Sequence, residues 1–342
     1  MSKKADQPTG ASILANGGGV PTGPRVAAGG DPRFDMALRN IGFAPTARAG
    51  AAPPFAAPSA PAPAADAGRE AAVALARRDW LMDVMEAQRR LSAAASGLWR
   101  VEGLSGPEFL DQFYAPGRPC LIKGAIAHWP ALERWTPDYL RAAVGDAPVE
   151  YQGDRQGAGD FELAKDRHKQ RLPFRAYLDL IERTPGNDAY VTAYNSAANQ
   201  AAFAPLMADT RPIADYLTPG GGMLWIGPAG TFTPLHFDLT NNLLVQVTGR
   251  KHVLLVPSTQ ARFLYHRRHV FSDVHDLEDP ARLQRYPLAR RATPYAVTLE
   301  PGDLLFIPIG WWHQVRALDF SVMLTYTNFL WPNAGYESFP AD

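Results

Sequence analysis

The sequence predicts a mainly β fold, a barrel of short antiparallel strands flanked by helices. Three observations carry this. From Gly222 onward, short apolar runs follow one another closely: GMLWIG, FTPLHFD, NLLVQV, KHVLLVP, YAVTL, DLLFIP, HQVRAL and FSVMLTYTNF. Turn-forming Gly, Pro, Asn and Asp separate them. No internal repeat of fixed period interrupts the series, which argues against a solenoid or a propeller. Finally, His236 and Asp238 stand one residue apart in TPLHFD, while His313 closes GDLLFIPIGWWH, 75 residues beyond Asp238. Only strands from distant parts of the chain could bring these three together.

Taken in order, residues 1–65 are dominated by Ala, Gly and Pro, in runs such as GGGVPTGP and AAPPFAAPSAPAPAA. Such a segment has too few large side chains to offset the entropy of ordering, and a disordered arm is expected. The piece DPRFDMALRNIGF within it is a candidate docking segment. Residues 66–98 are expected to form an amphipathic helix, because Val73, Trp80, Leu81, Val84, Met85 and Leu91 recur near helical spacing among charged residues. The helix would pack on the following domain or, over residues 69–95, on a second copy in a homodimer. Residues 99–342 make the barrel domain.

Within that domain, Ser105 and Glu108 form a capping box for a helix through Phe113, and Thr136 with Pro137 starts a helix that stops before Gly145. RPCLIKGAI, PVEYQ and DAYVTAY read as strands, and PFRAYLDLIER as a helix. Alternation puts Tyr190, Thr192 and Tyr194 on one face of their strand. Thr248 and Gly249 mark a tight hairpin, and Pro301, Gly302 and Asp303 a turn in which Asp303 is a turn residue. The stretch from 260 to 291, rich in arginine and containing His266, His269 and His275, reads as a surface excursion near the barrel mouth.

The balance of charge excludes little but weighs against one class of partner. With 34 acidic and 34 basic side chains, the chain gives no support for broad attraction to nucleic acid or membrane. The single cysteine, Cys120, rules out an internal disulfide and fits a reducing compartment. No apolar stretch approaches a membrane span, and no apolar signal core follows the start, so a cytoplasmic protein is expected.

Residues two apart on a strand point the same way, so His236 and Asp238 can share one metal while Phe237 faces oppositely. Two imidazoles and a carboxylate are the set that holds Fe(II) on three adjoining positions and leaves three open for a co-substrate and dioxygen. A lone H-x-D is weak; GDLLFIPIGWWH at this distance makes it a metal site. Trp311 and Trp312 are expected to pack around the metal cavity.

The runs TPLHFDLTNNLLVQVTGRKHVLLVP, LEPGDLLFIPIGWWHQV and TYTNF together resemble the cupin-like JmjC oxygenases, and within that group the asparaginyl hydroxylases. The likeness is strongest from about Gly222 to Phe329. It implies a double-stranded β-helix in which His236, Asp238 and His313 bind Fe(II), with 2-oxoglutarate and O2 as co-substrates. Lys251, fifteen residues after His236, matches the family's partner for the distal carboxylate of 2-oxoglutarate, and Thr233, three before His236, its hydroxyl partner. Asn242 and Asn328 match amides near the metal-bound end, and Tyr194 or Tyr190 completes the set.

The expected reaction is hydroxylation of an amino-acid side chain in a protein or peptide, with succinate and CO2 as co-products. Relatives of this fold also act on small metabolites, RNA bases or methyl-lysine. Two rivals lie outside the oxygenases: a catalytically silent metal-binding cupin serving as an interaction module, and a zinc or manganese cupin isomerase. The Lys251, Thr233 and Asn328 positions argue against the first, because a structural metal has no use for a carboxylate pocket.

Overall fold

The computed structural model describes residues 13–14, 64–92, 97–159, 161–192 and 196–340. The rest of the arm expected to be disordered, and Tyr194, lie outside the described residues. Two units can be distinguished. One is residues 17–78, of which the described part begins the helix α1 (Ala64–Arg89) with every described side chain exposed; the other joins residues 1–16 to 79–342.

The second unit starts with β1 (Ile13–Leu14), the end of α1, β2 (Trp99–Glu102) and α2 (Gly106–Phe109). Ser105 caps α2 through a reciprocal capping box with Glu108, and a wider turn, Leu110–Tyr114, extends it past Phe113. Then come β3 (Cys120–Lys123), α3 (Ala131–Arg134), α4 (Pro137–Val144) capped by Thr136, β4 (Pro148–Gln152), β5 (Lys169–Pro173), α5 (Phe174–Arg183) and α6 (Ala197–Phe203). DAYVTAY, expected as a strand, makes only single bridges in its described part, Tyr190 to Gln152 and Val191 to Ile226. Both carbonyl and amide of Tyr190 are used on Gln152, which fixes its ring although no ladder continues.

The barrel strands are β6 (Met223–Gly227), β7 (Phe232–Phe237), β8 (Asn242–Thr248), β9 (Lys251–Val256), then β10 (His266–Arg268), β11 (Phe271–Ser272) and α7 (Pro280–Arg285) in the excursion, and finally β12 (Tyr295–Leu299), β13 (Leu304–Ile307), β14 (Trp312–Ala317) and β15 (Ser321–Tyr326). One sheet has the order β1-β2-β3-β13-β8-β15-β6, the other β10-β11-β7-β14-β9-β12. Among the described residues, only β2 and β3 pair in parallel. This is a double-stranded β-helix: two sheets whose inner faces bury Leu121, Leu244, Val253, Leu255, Leu305 and Met323 between them. Gly249 turns the β8–β9 hairpin at φ +66, and a Cβ there would lie 2.0 Å from the Phe320 carbonyl oxygen, so only glycine fits.

The final turns of α1 do not bury the apolar stripe that the sequence suggested. Trp80, Leu81, Met85 and Leu91 are 46–86 % exposed, and the contact with the barrel is polar. The Glu86 carboxylate is buried and accepts from Thr259 Oγ1 at 2.9 Å and Gln260 Nε2 at 2.8 Å, besides Arg89 and Arg90 of its own helix. Asp83 pairs with Arg262, and Arg89 lies over the Tyr295 ring. Helical spacing locates a stripe but does not say which side meets the barrel; here the two barrel donors to one carboxylate, Thr259 and Gln260, decide it. Burial alone would raise the Glu86 carboxyl, but these donors outweigh it and hold it at about 2. Its contribution is therefore complete above the ordinary glutamate range and lost as pH falls towards 2. Glu86→Ala should raise amide exchange over residues 79–89 by about tenfold or more, read by mass spectrometry; unchanged protection would mean that other contacts hold the helix.

Candidate metal centre

His236 and His313 are direct cross-strand partners on β7 and β14, which brings their ring centroids to 4.2 Å. Asp238, beyond His236 at the end of β7, places its two carboxylate oxygens 3.7 Å from His236 Nε2 and 3.6 Å from His313 Nε2. All three ligand atoms lie within 4.8 Å of one another. The Nδ1 atoms are engaged by backbone carbonyls, His236 with Pro234 O at 2.7 Å and His313 with Trp311 O at 3.1 Å. Each ring thus donates from Nδ1 and turns the lone pair of Nε2 inward, as a metal ligand must.

The electrostatics agree with this use. Burial pushes His313 down, reinforced by His236 and opposed by Asp238, so its imidazole is neutral at physiological pH. For Asp238, burial acts upward, but His313, His236 and the Asn242 amide outweigh it and hold the carboxyl below its ordinary range. Asn242 Nδ2 donates to Asp238 Oδ2 at 3.1 Å. Two imidazoles with Nε2 turned inward and an ionised carboxylate suit a divalent first-row metal.

Thr233 stands an odd number of residues from His236, and in a regular strand the two would face opposite ways. The β7–β14 register shifts between His313 and Val315, leaving an extra residue on β7. That bulge turns Thr233 into the same cavity as His236.

Deeper in the cavity stands Lys251, 1 % exposed. Its Nζ donates to Tyr190 Oη at 2.9 Å and has no acidic partner among the described residues. Burial lowers its pKa to about 7. A buried ammonium without a counter-ion is costly and marks a place built for an anion. Tyr190 is itself buried, which pushes its phenol up and keeps it protonated. Its ring occupies the space a side chain at Gly227 would need, 2.6 Å from an added Cβ. Behind it lies Arg155, fully buried between the Phe161 and Tyr190 rings at 4.2 and 5.3 Å, and donating to Phe232 O at 2.8 Å.

One cavity therefore gathers Tyr190, Thr233, His236, Asp238, Asn242, Lys251 and His313. Asn328 is not among its lining residues: its amide donates to the carbonyls of Thr218 and Gly220. The inward position on that strand belongs to Thr325, three residues earlier, whose Oγ1 accepts from Trp225 Nε1 at 3.0 Å. Trp225, Leu244, Val315, Met323 and Thr325 complete the lining and were missed in the sequence, although strand alternation could have placed Met323 and Thr325 together. The two tryptophans expected around the cavity do not line it. Trp312 is directed outward against Phe237, opposite to His313, and Trp311 joins the inner apolar cluster while donating to Gly117 O. His252 turns from the cavity to Glu278.

A family model described as cupin-like domain matches residues 106–331, a span that includes every residue of this cavity. The chain belongs to the cupin-like domain family. Relatives of this cupin-like protein include lysine-specific demethylase JMJ30 of Arabidopsis thaliana, 34 % identical over 69 % of this chain and 55 % of that protein. Others are tRNA wybutosine-synthesizing protein 5 of Gallus gallus, 28 % identical over 70 % of this chain and 78 % of that protein, and the human bifunctional peptidase and (3S)-lysyl hydroxylase JMJD7, 27 % identical over 61 % and 76 %. The chain spans about half the length of the demethylase and Jumonji C relatives it matches. Among the described residues, no helix is long and apolar enough to cross a membrane.

Proposed function

We propose that this cupin-like protein is an Fe(II)- and 2-oxoglutarate-dependent dioxygenase that hydroxylates an amino-acid side chain of a protein or peptide. The observation that carries the reading is the pairing of a His-Asp-His group with a buried, anion-free lysine in one cavity. His236, Asp238 and His313 would hold the iron. Lys251, with the hydroxyls of Tyr190 and Thr233, would hold the distal carboxylate of 2-oxoglutarate, and Asn242, whose Oδ1 is buried without a partner, stands beside Asp238. When bound, the metal and co-substrate with O2 supply the oxidation of an unactivated carbon, releasing succinate and CO2.

The protein's own part is placement and protection. Pro234 O and Trp311 O fix the tautomers of the ligand rings. Tyr190, held by two backbone hydrogen bonds exchanged with Gln152, accepts from Lys251 Nζ and orients the ammonium. Trp225, Leu244 and Met323 wall the cavity with apolar surface and exclude water from the anion. The names of the relatives divide among lysine demethylation, lysyl hydroxylation and tRNA modification; the balanced charge of this chain favours a protein substrate over RNA. A homodimer through residues 69–95 remains our proposal for assembly, supported by the exposed Trp80, Leu81 and Met85.

Host-cell peptides incubated with the enzyme, iron, 2-oxoglutarate and air should gain the mass of one oxygen at specific residues, with a matched Asp238→Ala sample as blank. Succinate without any modified peptide would move the substrate to another class, and absence of both would remove the oxygenase.

A further inference from the structure

Beside the metal ligands lies a second cleft, of ≈ 180 Å³, that the proposed chemistry does not use. Its wall is shared with the metal centre: Phe271 pairs with His236 across β11 and β7 and stacks on the His236 ring at 5.7 Å, and Pro234 supplies the carbonyl that orients that ring. Phe161 and Leu163 add apolar surface. A group seated here would therefore sit next to whatever is presented to the metal.

The charges around the cleft are unevenly matched. Glu162 already faces two cations, Arg155 at 3.3 Å and Lys165 at 3.3 Å, and Asp273 faces Arg267 at 3.3 Å. Arg282 is 4.0 Å from Asp279. Arg268, exposed at the end of β10 and lining the cleft, has no acidic partner among the described residues. It is the cation left over.

A second, independent feature is His275. Its backbone is held at φ +69, a conformation unfavourable for a residue with a Cβ, and its ring lies between Phe161 and Phe232 at 6.0 and 5.7 Å. Its Nε2 is buried with no hydrogen-bond partner, and the residue lines the cleft. Strain and an unsatisfied polar atom at one residue cost stability, which a ligand could repay. Burial and the nearby Arg282 hold the pKa of this imidazole down, and a neutral ring that carries its proton on Nε2 donates without a charge being brought into the protein.

We infer that this cleft is a subsite for a carboxylate on the substrate peptide, an aspartate or glutamate near the modified residue, with Arg268 as its ion partner and the unpartnered Nε2 of His275 as its hydrogen-bond donor. The inference rests on the oxygenase reading for its meaning but not for its measurement. The small volume, apolar walls and single surplus cation fit one acidic side chain better than a run of phosphates, which would need several cations.

The test uses the full chain loaded with Mn(II) and an unreactive analogue of 2-oxoglutarate to capture a degenerate library of short amidated peptides, read by mass spectrometry. Wild type should enrich Asp or Glu at one position by about tenfold, the worth of one charge-assisted hydrogen bond. Arg268→Gln should lose the preference, and Arg268→Glu should turn it towards Lys or Arg at the same position, which a merely structural role would not do. No acidic preference in wild type, an undiminished one in Arg268→Glu, or Arg268-dependent capture of a single-stranded RNA oligonucleotide in place of peptides would overturn the proposal. The visible band of Fe(II) with 2-oxoglutarate in wild type reports separately on the oxygenase reading: acidic enrichment without the band leaves the subsite and removes the oxygenase, and the band without enrichment does the reverse.

Discussion

Replacing Asp238 by alanine is expected to abolish both iron retention and turnover while leaving the fold intact. The carboxylate supplies the one anionic ligand, and its oxygens lie 3.6–3.7 Å from the two Nε2 atoms that would share the metal. Without it, two imidazoles remain on adjacent strands, a much weaker site. Loss of a partner outside the ligand set commonly costs up to about a hundredfold in metal affinity, so removal of a ligand should cost more than about a hundredfold. Asp238 makes one side-chain hydrogen bond, from Asn242, and carries little of the packing. The metal-free variant should melt within about 4 °C of wild type, but added Fe(II) or Mn(II) should no longer raise its melting temperature. Normal turnover by this variant would reject the triad.

Lys251→Met should lower 2-oxoglutarate affinity by about a hundredfold, the equivalent of about 3 kcal/mol for breaking a buried ion pair. Methionine keeps most of the length of the side chain, so the effect reads charge rather than a cavity. The pKa of about 7 gives the prediction a sign in pH. Burial lowers this lysine in the folded state relative to the unfolded one, so between about 7 and about 10.4 the unfolded chain binds more protons and metal-free stability rises with pH. That rise should vanish in Lys251→Met. A carboxylate placed beside the ammonium restores its proton, so binding at pH 8 should take one up, and affinity should weaken as pH climbs above 7. Calorimetry in two buffers of different ionisation enthalpy measures this. Unchanged affinity in Lys251→Met would mean that the co-substrate carboxylate is held elsewhere.

The barrel was legible because its strands are short, apolar and punctuated, and the metal group because strand parity links His236 to Asp238. Other features depended on departures from regularity. Thr233 shares the cavity with His236 only through a bulge, which spacing alone cannot reveal. Asn328 shows the converse: beyond the end of β15, its amide closes the Thr218–Gly220 turn. The excursion read as a surface loop contributes Phe271, a direct pairing partner of a metal ligand, through contacts between segments far apart in sequence. In α1, one buried glutamate outweighed an apolar stripe, since periodicity counts residues but not the hydrogen bonds waiting for them on the barrel.

The central claim, a metal and a 2-oxoglutarate anion bound side by side in one cavity, is tested most directly by anaerobic titration of the metal-free protein with Fe(II) and then 2-oxoglutarate, followed by visible absorption. Chelation of the metal by the keto acid should produce a charge-transfer band that saturates at one equivalent, is absent in Asp238→Ala and needs far more 2-oxoglutarate in Lys251→Met. A wild-type protein that binds iron and 2-oxoglutarate without any such band would contradict it.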